Sequence, residues 1–225
     1  MPQLLVFGAR NLGRVIAEHL ISQGWEATGV ARSEETVAAF PGRGVQADLT
    51  DRDQMRRVVE EAGAFDLAVN AYSPKGRFGG GDLTTTDDDA MAPYLEQLLP
   101  EVFSFFRLCG ASLAERGSGT IVQVTGGSSR RAMPGRGLWA AGAFGVRAVT
   151  QAAALELRTR GIHVALLIVD AGIEPYAGGG RPGVDPEALA DPRRVADAVV
   201  FLAEQGPRAA THELQVTPLA ETWVP

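Results

Sequence analysis

Short apolar segments alternate with helical patterns along almost the whole chain, and this alternation constrains the fold more than any other feature. We expect strands at residues 4–8, 27–31, 44–47, 67–70, 120–125, 162–169 and 213–217. We expect helices at residues 11–23, 34–40, 52–62, 91–116, 139–160 and 193–204. Such alternation predicts a doubly wound α/β fold, in which helices cover both faces of a mainly parallel, seven-stranded sheet. One domain should span residues 1–225.

Local signals support several of these boundaries. Asp51 precedes one helix with Gln54 three residues later, which is the spacing of a capping box. Asp191 followed by Pro192 is typical of a helix start. The glycine-, proline- and aspartate-rich stretches 72–89 and 176–190 are predicted to be mobile loops. In a doubly wound sheet, such loops lie at the carboxyl ends of the strands, where ligands bind.

Composition excludes several classes of function. The net charge is −6 and no basic run occurs, so we expect no nucleic-acid partner. No apolar run reaches the roughly 20 residues of a membrane helix, and the first residues do not resemble a signal peptide. Cys109 is the only cysteine, so neither an intrachain disulfide nor a cysteine metal cluster can form. We therefore expect a cytoplasmic protein that binds no metal.

A glycine turn follows the first strand, in the segment LVFGARNLGRVIA at residues 5–17. Free backbone N–H groups and the positive end of a helix dipole favour a phosphate at such a turn. The spacing is G-x-x-x-x-G, so a plain strand-to-helix turn is the alternative interpretation. The candidate cofactor-binding residues are Gly8, Arg10, Asn11, Leu12 and Gly13. We expect Asn11 to adopt a left-handed conformation in place of a middle glycine.

The second strand ends in GVARS at residues 29–33, with no acid to bind adenosine ribose hydroxyls. Arg32, together with Ser33 and Arg10, suits the 2′-phosphate of NADP instead. The alternative is a solvated arginine at a helix start. NADP is therefore the expected cofactor, ahead of NAD.

The segment LWAAGAFGVRAVTQAAALELRTRGIHV at residues 138–164 resembles the active-site helix and following strand of the short-chain dehydrogenase/reductase family. The resemblance extends over nearly the whole chain and implies a Rossmann-like fold with a nicotinamide cofactor. It also implies that Asp48 and Leu49 lie beside the adenine, although Asp48 could simply cap the next helix. The segment DLAVNA at 66–71 resembles the family segment Asn-Asn-Ala-Gly, which assigns Asn70 and Ala71 to the cofactor site.

The family's catalytic tetrad of Asn, Ser, Tyr and Lys is not retained. The Tyr and Lys positions are Trp139 and Ala143, and the Asn position falls near Leu98. The Ser position falls at Gly126 or Gly127. None of these four groups can transfer a proton, so we assign no catalytic residue.

Several other polar residues are candidate substitutes for the tetrad. Ser128, Ser129 and Arg130 could assist a carbonyl group, and Tyr72 with Lys75, the only lysine, could form a relocated acid pair. Loop or solvent positions are the simpler interpretation for these residues. The three histidines, His19, His163 and His212, are scattered and form no site. The acids Asp87, Asp88 and Asp89 precede a helix, where they favour its dipole. Glu101 and Glu115 lie on the long helix and are expected to be solvated.

Two functions follow from this pattern. The first is an NADP-binding protein that is non-catalytic or a feeble catalyst and acts as a ligand binder or partner subunit. The second is an NADP-dependent oxidoreductase of a small carbonyl or alcohol substrate, using surrogate residues. The small side chains of the helix at 139–160 permit close helix approach, and the resemblance implies pairing with the preceding helix. We expect a homodimer or homotetramer.

Overall fold

The computed structural model describes residues 1–74, 76, 78–178 and 180–223. Its main feature is a parallel sheet whose seven strands lie in the order β3-β2-β1-β4-β5-β6-β9. These strands are β1 (Gln3–Phe7), β2 (Glu26–Ala31), β3 (Arg43–Gln46), β4 (Leu67–Asn70), β5 (Gly119–Gly126), β6 (Ile162–Val169) and β9 (Glu213–Val216). The predicted fold class is therefore confirmed.

Seven α-helices connect and cover these strands in the described part of the chain. They are α1 (Leu12–Ser22), α2 (Glu34–Ala38), α3 (Arg52–Ala62), α4 (Met91–Glu96), α5 (Leu99–Arg116), α6 (Gly137–Arg158) and α7 (Pro192–Ala203). Within the described residues, no helix combines the length and the apolar content that crossing a membrane requires.

The chain reverses direction across the sheet between β1 and β4. From β1 it proceeds outward to β2 and β3, and then it returns to β4 and proceeds the other way. The carboxyl ends of β1 and β4 therefore border a crevice, because their following connections leave on opposite sides. This is the topological switch point at which doubly wound folds bind ligands.

Two apolar layers cover the two faces of the sheet. Val6, Val69 and Leu167 point toward one layer, which α1 and α7 complete. Leu5 and Ile121 point toward the other layer, which α3, α5 and α6 complete. Strands that are covered on both faces become continuous apolar runs, which explains the composition of β4 and β6.

Capping side chains begin two of the helices as the sequence predicted. The Asp51 carboxylate accepts hydrogen bonds from the N–H groups of Asp53 and Gln54 at the start of α3. Asp191 accepts from the N–H of Arg193 at the start of α7. Asp51 rather than Asp48 caps α3, so the alternative interpretation of Asp48 as the cap is wrong.

The helix predicted at 91–116 is two helices. α4 ends at Glu96, and α5 begins at Leu99 with Pro100 in its first turn. A proline lacks the N–H that a continuous helix would use, and its ring collides with the preceding turn, so the helix restarts there.

The second predicted loop, 176–190, includes a short element that the sequence analysis missed. β8 (Leu189–Ala190) pairs in parallel with β7 (Gly172–Ile173) in a separate two-stranded sheet. This pairing holds the chain after β6 close to the start of α7. Mobility of the loops at 72–89 and 176–190 stays a prediction, and Lys75, Arg77 and Gly179 lie outside the described residues.

Candidate functional site

The glycine turn after β1 is shaped by contacts within the chain. Gly8 has a φ of +87°, and a Cβ on it would lie 2.6 Å from backbone atoms of Ala71 and Tyr72 at the end of β4. A Cβ on Gly13 would lie 2.5 Å from the carbonyl oxygen of Gly8. The tight path of the chain therefore requires both glycines.

Asn11 precedes α1, but it does not adopt the predicted left-handed conformation. Its φ is −114°, and positive φ values among the described residues occur only at glycines. The Asn11 amide holds the loop after β7 instead, because Nδ2 donates to the carbonyl of Glu174 and Oδ1 accepts from the N–H of Tyr176. Gly8 supplies the positive φ that the turn needs.

The start of α1 consequently has backbone N–H groups that no side chain caps. Leu12 and Gly13 form this helix start and are buried at the switch point, while Arg10 is exposed beside them. Uncapped N–H groups and the helix dipole together favour an anion at this point.

Arg32 lies at the end of β2, where the sequence analysis places the 2′-phosphate. Its guanidinium is 3.8 Å from the carboxylate of Asp48, and both side chains are about two-fifths exposed. Hydrogen bonds from Thr50 and the positive charge of Arg32 lower the pKa of Asp48, although its partial burial opposes them. Ser33 caps α2 by accepting from the N–H of Thr36. Arg32 is therefore a cation that solvent can reach, and it has only a loosely placed partner.

A buried polar network lies beneath the end of β4. The Asn70 side-chain nitrogen donates to the Glu101 carboxyl, at 3.1 and 3.2 Å from its two oxygens. The same nitrogen lies 2.9 Å from Oε1 of Gln123 on β5. The Asn70 oxygen accepts from the N–H of Tyr72, which fixes the turn that leaves β4.

The expectation that Glu101 is solvated is wrong, because only 5% of it is exposed. Its position on α5 explains the error. Glu101 shares a helical face with Phe105 and Cys109, four and eight residues later, and this face packs on the sheet. That apolar periodicity was the available signal. Burial raises the pKa of Glu101 to about 8, although the hydrogen bond from Asn70 opposes this shift. Glu115, by contrast, is exposed as expected.

Tyr72 is a poor candidate for a relocated acid. Partial burial raises the pKa of its phenol, and the positive charge of Arg32 only partly offsets this effect. The phenol is partly buried against the apolar layer that α3, α5 and α6 complete. Its suggested partner, Lys75, lies outside the described residues.

The family's tyrosine position on α6 is filled by an aromatic contact. The Trp139 ring packs on that of Phe78, with centroids 4.6 Å apart, and the backbone N–H of Trp139 donates to the carbonyl of Gly79. Ala143, one turn later, is buried with 3% exposure. Leu98, which lies just before α5, packs near Gly142 of α6. These three side chains contain no group that could give or take a proton near neutral pH.

The polar residues after β5 are largely committed to the chain itself. Ser129 is fully buried, and its hydroxyl donates to the carbonyl of Gly126. Ser128 is half-buried, and Arg130 reaches Gln215 on β9 with a long contact of 3.5 Å. Ser128 and Arg130 therefore remain the side chains here that could approach a ligand.

Two of the three histidines meet across neighbouring strands. The rings of His163 and His212 are 6.2 Å apart, and each has a nitrogen at a backbone carbonyl. His19 is separate and pairs with Asp197. Asp88 and Asp89 form a short 3₁₀ turn ahead of α4, with Asp87 before it. No group of three or more metal-ligating side chains occurs among the residues that the structure describes.

The fold and this edge of the sheet define the class: a doubly wound α/β fold with a turn that favours an anion at its switch point, and with Trp139 and Ala143 one turn apart on α6. A family model for short chain dehydrogenases matches residues 3–172. The chain belongs to the short-chain dehydrogenase family.

Curated relatives are similar over most of their length. The 3-oxoacyl-[acyl-carrier-protein] reductase FabG of Vibrio harveyi is 28% identical over 225 aligned residues, which cover 92% of this chain and 90% of the relative. The protein of the same name from Escherichia coli (strain K12) is 26% identical over 218 residues and 88% of each chain.

Solved structures share the fold. An alcohol dehydrogenase from Thermococcus sibiricus, complexed with 5-hydroxy-NADP, superposes with a TM-score of 0.81 at 21% identity, covering 100% of this chain and 99% of that one. An actinorhodin polyketide ketoreductase variant with NADPH has a TM-score of 0.79 at 23% identity, covering 99% and 98%. At this identity, the likeness establishes the fold alone.

The buried Glu101 predicts a pH dependence of stability. Its folded pKa of about 8 exceeds the ordinary value of 4.5, so the unfolded chain releases this proton first. The stabilising contribution is complete below pH 4.5 and is lost as the pH rises through 8, at a total cost of about 3–5 kcal/mol. Glu101→Gln should remove this loss, because the amide oxygen can still accept from Asn70 without titrating.

Urea unfolding at pH 5, 7 and 9 measures this effect. The Glu101→Gln variant should gain stability over the wild type as the pH rises, whereas Glu115→Gln, on the exposed face of the same helix, should follow the wild type. Parallel pH curves for wild type and Glu101→Gln would show that Glu101 does not retain its proton in the folded protein.

Proposed function

We propose that this chain is an NADP(H)-binding member of its family that has lost the family's proton relay and catalyses carbonyl reduction feebly or not at all. It would act as a ligand binder or as a partner subunit. The observation that carries the proposal is the pair Trp139 and Ala143 on α6. Trp139 packs on Phe78, and Ala143 is buried in helix contacts, so neither could act as an acid or hold one in place.

The residues at the switch point fit a dinucleotide. Uncapped N–H groups at Leu12 and Gly13 suit a pyrophosphate, as does the close approach of backbones around Gly8. Arg32 would pair with a 2′-phosphate, and Ser33 would join it by exchanging its hydrogen bond to Thr36 for one to the phosphate. Arg10 is a further exposed cation on the turn after β1. Asp48 and Leu49 would border the adenine, and Asn70 with Ala71 would border the ribose side. When bound, NADPH supplies a hydride; the NADP complexes of two structural neighbours support this choice of cofactor.

At the end of the cleft near α6, the chain would bind a ligand and exclude water. A carbonyl oxygen needs a proton and a hydrogen-bond donor as it gains negative charge. The Ser129 hydroxyl already donates to the carbonyl of Gly126. The raised pKa of the Tyr72 phenol makes it a weaker acid than free tyrosine. Only Ser128 and Arg130 favour the alternative, an NADP-dependent oxidoreductase that uses surrogate residues.

We predict negligible reduction of a carbonyl panel that includes a 3-oxoacyl thioester, the substrate class in the relatives' names. General acid catalysis contributes about 10²–10⁴-fold and oxyanion donors about 10²–10³-fold, so the rate should be several orders of magnitude below that of an intact relative. The rate of NADPH oxidation, followed by its ultraviolet absorbance, measures this activity. Turnover at ordinary enzyme rates would overturn the proposal.

The matched test restores the missing groups. Trp139→Tyr with Ala143→Lys and Gly126→Ser should raise the rate at least about tenfold. The same triple variant with Trp139→Phe should not, because it restores the ring without the hydroxyl.

We predict that NADPH binds about tenfold or more tightly than NADH, since an arginine–phosphate pair is worth about 1.5–3 kcal/mol. Arg32→Ala should abolish this preference by weakening NADPH binding alone. Arg43→Ala removes an exposed arginine that is paired with Glu61, so it is the control and should leave both affinities unchanged. Calorimetry with each cofactor decides the matter, and equal affinities in the wild type would remove Arg32 from the site.

We further propose that α5 and α6 pair with a second copy of the chain. Phe103 on α5 and Phe144 and Leu155 on α6 are exposed by 57%, 41% and 64%. Light scattering at micromolar concentration should give at least a dimer mass. Phe103→Glu with Leu155→Glu should reduce that mass, whereas Phe201→Glu on α7 should leave at least a dimer. A stable wild-type monomer would contradict the pairing.

A further inference from the structure

Gly127, at the carboxyl end of β5, has no room for a side chain because the carboxyl group of Asp170 fills the space. A Cβ on Gly127 would lie 1.7 Å from Oδ1 and 2.3 Å from Cγ of Asp170. The adjacent Gly126 is different, since its Cβ would meet only the carbonyl oxygen of Val169, at 3.9 Å. The missing serine of the family falls on one of these two glycines, so Asp170 lies at the serine position or directly beside it.

Asp170 is held firmly where it is. It follows β6, and its side chain is 9% exposed. Its Oδ1 accepts from Arg131 at 3.4 Å, and its Oδ2 accepts from Gln215 on β9 at 3.3 Å. Arg131 is anchored in turn by Glu221, at 3.0 Å. The carboxylate is thus fixed at the ends of β5, β6 and β9, the edge of the sheet where ligands of this fold bind.

A carboxylate has a different chemistry from a serine hydroxyl. The hydroxyl can donate a hydrogen bond to a carbonyl oxygen, whereas an ionised carboxylate can only accept. Each Asp170 oxygen has about two lone-pair sites, and the two contacts described use one site on each oxygen. The remaining capacity suits a ligand group that donates. A carbonyl oxygen has no hydrogen to donate, so it gains no hydrogen bond from this carboxylate.

We propose that Asp170 is a specificity-determining residue of the cleft. Its carboxylate, placed against Gly127, makes this end of the cleft bind ligands that donate hydrogen bonds, such as alcohols or protonated amines, in preference to carbonyl compounds. This role of Asp170 rests on the proposed function, because it concerns the same cleft. Both of its tests are made without NADPH, so that their failure and the failure of cofactor binding are separate results.

The first test measures the coupling between Gly127 and Asp170 by thermal unfolding. Gly127→Ser should lower the Tm by about 3–8 °C in the wild type, because the added side chain displaces the carboxylate. In an Asp170→Ala background the same substitution should cost less than half of that. Gly126→Ser should have little effect in either background. An equal cost of Gly127→Ser in both backgrounds would overturn the placement of Asp170.

The second test measures selectivity with three probes of one carbon skeleton, namely cyclohexylamine at pH 7, cyclohexanol and cyclohexanone. Ligand-observed NMR titration should show the amine or the alcohol binding wild type at least about fivefold more tightly than the ketone, and which of the two binds better identifies the donor class. Asp170→Asn, which keeps the shape, should abolish the preference. Glu221→Gln also removes a carboxylate partner of Arg131. Because Glu221 is not among the groups nearest to Gly127, this variant should retain the preference.

Four results of the second test would overturn the proposal. Three of them concern the wild type and Asp170→Asn. These are equal affinities for ketone and donors in the wild type, a preference that survives Asp170→Asn, and no detectable binding of the amine and the alcohol. Loss of the preference in Glu221→Gln as well as in Asp170→Asn would also do so, because it would assign the effect to the placement of Arg131.

Discussion

Burial of the parallel sheet on both faces is the constraint on which the rest of this structure depends. The central strands β1, β4, β5 and β6 are largely buried on both faces, so most polar groups lie at the edges of the sheet or in hydrogen-bonded networks. The carboxyl edge therefore carries the turn at Gly8, the arginine at the end of β2 and the aspartate after β6. The exception in the interior is Asn70 with Glu101 and Gln123, and there each group has a partner.

That interior network has a structural consequence at the edge. Asn70 accepts from the N–H of Tyr72 while it donates to Glu101, so the turn that leaves β4 is tied to α5. The same turn packs against Gly8, whose close approach leaves no room for a Cβ. The buried Glu101 carboxyl group is therefore linked, through Asn70 and the turn after β4, to the glycine turn that precedes α1. Burial raises the pKa of Glu101 to about 8, which favours the neutral carboxyl in this apolar surrounding.

The two ends of the cleft have different physical requirements. Phosphate binding uses backbone N–H groups and a helix dipole, which any chain with this turn provides. Proton transfer needs particular side chains on α6, and here packing has replaced them: Trp139 contacts Phe78 and Ala143 is buried. At Gly127, the Asp170 carboxyl occupies the space that a side chain would need. The side chains at Trp139 and Ala143 and the space at Gly127 thus take part in packing contacts within the fold.

The sequence by itself predicted the doubly wound fold class, most element boundaries and the capping of α3, because apolar periodicity and capping residues are local properties. The loss of the catalytic tetrad stays a prediction. The sequence did not determine that α4 and α5 are separate, although Pro100 was the available signal. It also misplaced Glu101 and the backbone of Asn11. Only the tertiary structure decided that Asn70 reaches Glu101, that Asn11 holds the loop after β7 and that Asp170 fills the space at Gly127. These contacts join residues from 31 to 163 positions apart, and such pairings arise from how strands and helices pack, which no local pattern encodes.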